Sequence, residues 1–157
     1  RLSLVNMMSV GVPLALGAQV SPVRALVQGA GTAMRMESDR FRREIRRSPQ
    51  LLQGIHRYAN ALMAQVSQTA ACNRFHVIGA RLARWLLMTR DRLRSNEFRL
   101  TQDFLSHMLG VRRVGVTQAA GALQRRKLIE YSRGVIRILN DRGLEAAACS
   151  CYRIVRT

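Results

Sequence analysis

The spacing of apolar residues predicts helices over most of the chain after residue 36. Residues 38–47 place apolar side chains four positions apart, on one helical face, and Ser38 stands before them as a candidate N-cap. Ser48 and Pro49 then predict a new helix, because serine caps helix N-termini and proline is favoured at the first helical position.

The second predicted helix, over residues 49–72, carries apolar residues at alternating spacings of three and four. This pattern is typical of the seam of a two-stranded coiled coil. We therefore predict that the helix forms a homodimer, and the alternative is that the stripe packs on its own domain. The predicted seam consists of Leu52, Ile55, Ala59, Leu62, Val66 and Thr69.

A further helix is predicted where Ile78, Leu82, Trp85 and Leu86 share one face. Trp85 stands among aliphatic residues, so we interpret it as a core anchor rather than a platform for stacking bases.

The pattern of a helix-turn-helix follows. Thr101 precedes a short amphipathic stretch at 102–109, and Gly110 comes where that helix must stop and turn. A second helix is predicted over residues 112–126. Its N-terminal half exposes side chains of the types that hydrogen-bond to base edges in the major groove. We predict base readout by Arg112, Arg113, Thr117 and Gln118.

Residues 128–131 and 135–139 read as two strands joined by a turn at Gly134, which predicts a β-hairpin. A helix-turn-helix followed by such a hairpin is a winged helix. Hydroxyl and cationic side chains around this unit are candidate contacts to the DNA backbone, and the alternative for each is a solvated basic face. These candidates are Thr101, Arg125, Arg126, Lys127, Arg133 and Arg137.

The N-terminal segment is rich in Gly, Val and Ala. Residues 24–28 and 32–36 predict two short strands, which are too few for a stable sheet. We interpret them as the end of a β domain whose beginning is missing, so the chain is either a fragment or a shortened protein. The apolar stretch after Arg1 resembles a signal peptide, but polar and helix-breaking residues interrupt it. We expect neither export nor a membrane span.

The charge of the chain favours a polyanionic partner. It holds 26 Lys and Arg against 9 Asp and Glu, a formal net charge of +17, which favours nucleic acid or an anionic membrane. A non-specific nucleic-acid binder without base readout is our second hypothesis, and it predicts steep salt dependence. We expect no enzyme, because His56, His76 and His107 are scattered and no carboxylate pair or glycine-rich phosphate loop is present.

The cysteines are Cys72, Cys149 and Cys151, an odd number that is typical of a reducing compartment. Cys149 and Cys151 cannot complete a tetrahedral zinc site alone, and we find no histidine near them to help. We therefore interpret them as half-buried thiols near a helix end, and we expect no metal and no cofactor.

Together these segments resemble the C-terminal part of the Crp/Fnr family of bacterial transcription regulators. The run LTQDFLSHMLGVRRVGVTQAAGALQRRKLIEYSRGVIRILNDRGLEA is similar to that family's winged helix-turn-helix, and SPQLLQGIHRYANALMAQVSQTAACNR to its dimerisation helix. Residues 11–36 are similar to the tail of its cyclic-nucleotide-binding-type β-roll. The resemblance implies a mainly α fold with small β: a truncated β-roll over 1–36, a connector and dimerisation helix over 37–73, and a winged helix-turn-helix over 74–157.

The resemblance also implies a cytoplasmic homodimer that regulates transcription by binding a near-palindromic operator in double-stranded DNA, with RNA polymerase as a further candidate partner. Three features depart from the family. Residues 10–13 and 21–23 lack the acid and the arginine that hold a cyclic nucleotide, and residues 1–71 lack the cysteines of the iron–sulfur members. Val114 and Gly115 stand where the family's recognition helix often has Glu and Thr. Because valine cannot accept a hydrogen bond from cytosine, we expect a different operator.

Overall fold

The computed structural model describes residues 35–156, together with residue 13, residues 15–20 and residue 32. The strand predicted at 24–28 and most of the predicted β-roll tail lie outside the described residues. Of the strand predicted at 32–36, the three described positions are not in a strand. The chain divides into two compact units, Arg1–Val66 and Ser67–Thr157.

The described residues are mainly helical with one small sheet, which confirms the predicted fold class. No helix among them is both long and apolar enough to cross a membrane. The elements in chain order are α1 (Ser38–Arg47), α2 (Pro49–Phe75), α3 (Ile78–Leu93), β1 (Glu97–Arg99), α4 (Gln102–Leu109), α5 (Arg113–Arg125), β2 (Ile129–Ser132), β3 (Val135–Ile138), α6 (Asp141–Ala147) and α7 (Cys151–Arg156).

The first two helices begin close to where the sequence predicts. Ser38 is not an N-cap, because α1 already includes it and Glu37 takes that position without a side-chain hydrogen bond. Ser48 does cap α2, since its Oγ accepts a hydrogen bond from the Leu51 amide at 3.2 Å. Helix α2 continues to Phe75 rather than ending at residue 72.

The winged-helix part contains a three-stranded antiparallel sheet in the order β1-β3-β2. The predicted hairpin is confirmed, and its two-residue turn places both Arg133 and Gly134 at positive φ, 48° and 76°. Such a turn matches the twist of the flanking strands. Strand β1 was not predicted. It pairs with β3 and has three residues, of which only Phe98 is buried. An alternation of apolar and polar residues this short does not identify a strand in the sequence.

The core of the second unit lies between α3, α5, the sheet and the C-terminal helices. Leu82, Leu86 and Val116 are fully buried there. Trp85 is half-buried against this core and meets Phe104 edge to face, with ring centroids 6.1 Å apart. The interpretation of Trp85 as a core anchor is therefore confirmed.

The residues after the hairpin fold back onto α3. Tyr152 of α7 is 1% exposed and donates a hydrogen bond of 2.7 Å to Asp91. Arg90 forms ion pairs with both Asp91 and Asp141, at 2.8 Å and 3.0 Å. These polar contacts fasten the start of α6 and the buried side of α7 to α3.

One prediction about the cysteines is wrong. Cys149 and Cys151 are buried rather than half-buried, and His76 lies beside them, with its Nδ1 3.4 Å from the Cys151 sulfur. This proximity could not be predicted from the sequence, because the last turn of α2 contacts the α6–α7 junction only in the folded chain. Cys72 lies in the same group, 3.5 Å from Cys149 between sulfurs.

Candidate nucleic-acid interface

The turn of the helix-turn-helix forms through local hydrogen bonds. Thr101 caps α4, since its Oγ1 accepts from the Phe104 amide at 3.1 Å. Gly110 ends α4 in the left-handed region at φ 62°, which glycine adopts without steric cost. The Val111 amide then donates to the Ser106 carbonyl at 3.0 Å. The helix predicted at 102–109 and the turn predicted at Gly110 are therefore confirmed.

Helix α5 buries one face and exposes the other. Val116, Ala119 and Leu123 point into the core. At Gly115, a Cβ atom would lie 3.0 Å from Ile78, so the missing side chain lets α5 approach α3 closely. The opposite face carries the side chains that the sequence predicts to read bases. Arg112, Arg113, Thr117 and Gln118 are all exposed, and so is Val114.

Gln102, which sequence reasoning did not single out, organises two of these side chains. Its Oε1 accepts hydrogen bonds from Thr117 Oγ1 at 3.0 Å and from Arg113 Nε at 3.3 Å. A glutamine at the first position of a helix is unremarkable in sequence. Only the crossing of α4 and α5 places it against the start of α5.

A shallow cleft of about 350 Å³ adjoins this network. The first turn of α4, the first turn of α5 and the hairpin turn each contribute to its wall. The residues lining it are Thr101, Gln102, Arg113, Tyr131, Arg133 and Gly134. The cleft therefore places two arginines and several hydrogen-bonding side chains on one surface.

Tyr131 lines the same cleft and is half-buried. Its hydroxyl donates to the Leu100 carbonyl at 2.7 Å, which links β2 to the residue before the Thr101 cap. Burial raises the pKa of the Tyr131 phenol, and the charge of Arg113 offsets only part of that rise. The phenol therefore stays protonated at neutral pH and keeps its role as a donor.

The residues predicted to contact the DNA backbone lie at different places on the surface. Thr101 and Arg133 line the cleft. The cluster Arg125, Arg126 and Lys127 is exposed at the other end of α5, about 18 Å along the helix axis from Arg113 at 1.5 Å per residue.

Arg137 differs from the other cations because two carboxylates already hold it. It pairs with Glu97 at 2.8 Å and with Glu130 at 3.6 Å. Hydrogen bonding to Glu97 raises the pKa of Arg137, so this guanidinium stays charged but its charge is compensated.

Comparison with known proteins agrees with this geometry. Residues 80–147 match the family model of the Crp-like helix-turn-helix domain. No curated protein is detectably similar to the chain in sequence.

Two solved structures share the fold. A transcriptional regulator of the Crp/Fnr family from Eubacterium rectale is 24% identical, with a TM-score of 0.52, and the match covers 70% of this chain and 51% of that one. A CRP-family transcriptional regulator from Thermus thermophilus is 22% identical, with a TM-score of 0.55, and the match covers 62% of this chain and 53% of that one. The matches thus span about half the length of those structures. Residues 80–147, which include both helices of the helix-turn-helix and the hairpin, are thus similar to a Crp-like helix-turn-helix domain.

Proposed function

We propose that the chain is a sequence-specific DNA-binding transcription regulator of the Crp/Fnr type, and that it binds a near-palindromic operator as a homodimer. The observation that carries the proposal is the exposed start of α5, where Gln102 holds Arg113 and Thr117 beside the hairpin turn. In helix-turn-helix proteins the second helix enters the major groove with its N-terminal residues on the base edges.

Four polar side chains would select the bases. Arg112 and Arg113 suit the two acceptors of guanine, and Gln118 suits adenine, because these pairings are bidentate. Thr117 adds a short hydroxyl that contacts either kind of base. Val114 stands on the same exposed end with 59% of its surface accessible, where an apolar side chain suits the methyl group of thymine.

The backbone contacts would supply affinity rather than selectivity. Thr101 and Arg133 flank the base-reading end, and Arg125, Arg126 and Lys127 would meet phosphates at the far end of α5. Arg137 would contribute least among the predicted cations, because Glu97 and Glu130 already compensate its charge and would repel a phosphate.

Dimerisation would use the exposed part of α2. Within the predicted seam, Ile55 and Ala59 are already covered by the chain itself, at 5% and 9% exposure. Val66 is 61% exposed, and Met63, outside the predicted seam, is 69% exposed. These two side chains lie one turn apart and are free to pack against a second chain. A two-fold dimer would bind half-sites one helical turn, ~34 Å, apart.

The second candidate is a non-specific nucleic-acid binder, which the net charge of +17 favours. A regulator that recruits or blocks RNA polymerase in the cytoplasm needs base readout in addition to this positive charge. An enzyme needs neither base readout nor a high positive charge. Selection of bound duplexes from a randomised DNA pool at near-physiological salt separates the two candidates. Enrichment of an inverted repeat with half-sites one turn apart supports the regulator. Uniform recovery of all sequences supports the non-specific binder and overturns the proposal.

A further inference from the structure

Four side chains that commonly bind metals meet in the second unit. Cys72 lies in the last turn of α2, and His76 follows directly after that helix, with its amide donating to the Cys72 carbonyl at 3.1 Å. Cys149 and Cys151 stand on either side of Ser150, at the junction of α6 and α7. The three sulfurs and one ring nitrogen all lie within 4.8 Å of one another.

The spacing of these atoms suits one tetrahedral ion. Zinc bonds of about 2.3 Å to sulfur and about 2.0 Å to nitrogen place neighbouring ligand atoms roughly 3.5–3.8 Å apart. The Cys72 and Cys149 sulfurs are 3.5 Å apart, and His76 Nδ1 is 3.4 Å from the Cys151 sulfur. An iron–sulfur cluster places inorganic sulfide between its ligands and would need wider separations.

Burial indicates a structural rather than a catalytic ion. Cys72, Cys149 and Cys151 are 0%, 8% and 1% exposed, and His76 is half-buried. Four protein ligands leave no open coordination position for a substrate, which is the pattern of structural zinc sites with three cysteines and one histidine.

Arg84 supplies independent evidence for an anionic group at this place. Its side chain is 5% exposed, and its Nε and Nη1 have no hydrogen-bond partner. Its charge acts on both Cys72 and Cys151. A buried arginine without a counter-charge is strongly unfavourable. One Zn²⁺ ion with three thiolates carries a single negative charge, which Arg84 would compensate.

Gln68 completes the surroundings, since its Nε2 donates to the Cys151 sulfur at 3.0 Å. Hydrogen bonds of this kind orient metal ligands and tune their basicity. A disulfide between Cys72 and Cys149 would instead consume two of the sulfurs and leave Arg84 without its counter-charge. The contacts therefore favour the metal.

We propose that Cys72, His76, Cys149 and Cys151 bind one structural zinc ion, which fastens the C-terminal segment to the last turns of α2. The site is separate from the DNA-reading surface and does not depend on the proposed function. Because binding requires deprotonated thiols, zinc would release protons as it enters.

The test uses the purified chain, loaded with zinc and then dialysed. We expect one zinc per chain by elemental analysis, and a lower Tm after a strong chelator. Cobalt in place of zinc should give the visible absorption of a tetrahedral thiolate site. Cys149→Ser and His76→Gln should each lose the bound metal, while Ser150→Ala, which changes the exposed residue between two ligands, should retain it.

Gln68→Ala tests the site without removing a proposed metal ligand. We expect the zinc affinity of this variant to fall about 10–100-fold while the fold stays intact. Several results would overturn the proposal: less than one zinc per chain, retention of the metal by both ligand variants, iron–sulfur absorption in the purified chain, or a Cys72–Cys149 disulfide by mass spectrometry under reducing purification.

Discussion

Thr117 on α5 donates a hydrogen bond of 3.0 Å to the side chain of Gln102 on α4. The bond links the two helices of the helix-turn-helix on their exposed side, and the same glutamine oxygen also accepts from Arg113. Two side chains proposed to touch bases are therefore held in place before DNA arrives. Ordering a side chain in advance reduces the entropy lost on binding.

Gln102→Ala should weaken operator binding through this loss of order. We expect the Kd for the selected operator to rise about fivefold, equivalent to roughly 1 kcal/mol for one hydrogen bond. Fluorescence anisotropy with labelled duplexes measures the change. The matched control is Gln124→Ala, at an exposed position later on α5 with a 3.5 Å contact to Tyr131. An equal loss in both variants, or none in Gln102→Ala, would contradict the organising role of Gln102.

Val114→Glu should change which base is preferred. A carboxylate accepts a hydrogen bond from cytosine, whereas the exposed valine suits the thymine methyl group. We expect selected sites to replace thymine by cytosine at one position of each half-site. Sequencing of the selected pools checks this, and Leu139→Glu, at an exposed apolar residue after β3, serves as the control. Identical selected sites for wild type and Val114→Glu would remove Val114 from the reading surface.

The local chemistry of the chain predicts much of this fold. The helix at 102–109, the turn at Gly110 and the hairpin turn at Gly134 are all confirmed, because each depends on residues within a few positions. The missed features depend on distant residues. Gln102 acquires its role only when α4 crosses α5, and Cys72 meets Cys149 although 77 positions separate them.

The burial of individual residues shows which part of the predicted seam on α2 is exposed. The regular spacing cannot distinguish a face that packs within the chain from one that is left exposed. Ile55 and Ala59 are buried within the chain and Val66 is exposed, so only part of the predicted seam is accessible to a partner.

Val66→Glu should therefore weaken the proposed dimer. An unpaired carboxylate in an apolar interface costs more than the roughly 1–3 kcal/mol of a neutral polar group. The variant dimer should therefore dissociate at a higher protein concentration than the wild-type dimer. Sedimentation analysis over a concentration series measures this. Gln53→Glu introduces the same charge at an exposed polar position of α2 and should leave the dimer unchanged. A dimer of undiminished strength in Val66→Glu would place the interface elsewhere.

Two glycines should respond in opposite directions to alanine. At Gly143 a Cβ atom would lie 2.6 Å from buried Leu128 and 2.8 Å from Asn140, so Gly143→Ala should destabilise the fold by about 1–3 kcal/mol. At Gly121, inside α5, the nearest atom is the end of Arg125 at 3.6 Å, so Gly121→Ala should stabilise by about 0.5–1 kcal/mol. Urea denaturation measures both. Equal stability of the two variants would contradict the packing around Gly143.

Selection of bound duplexes with the Arg113→Ala chain tests most directly whether the start of α5 reads base sequence. Arg57→Ala, which removes the same charge from an exposed site on α2, is the control. We predict that Arg113→Ala loses its preference at one base position of each half-site and binds the wild-type operator about 1–3 kcal/mol more weakly, while Arg57→Ala keeps the full preference. An unchanged base preference in Arg113→Ala would contradict the account.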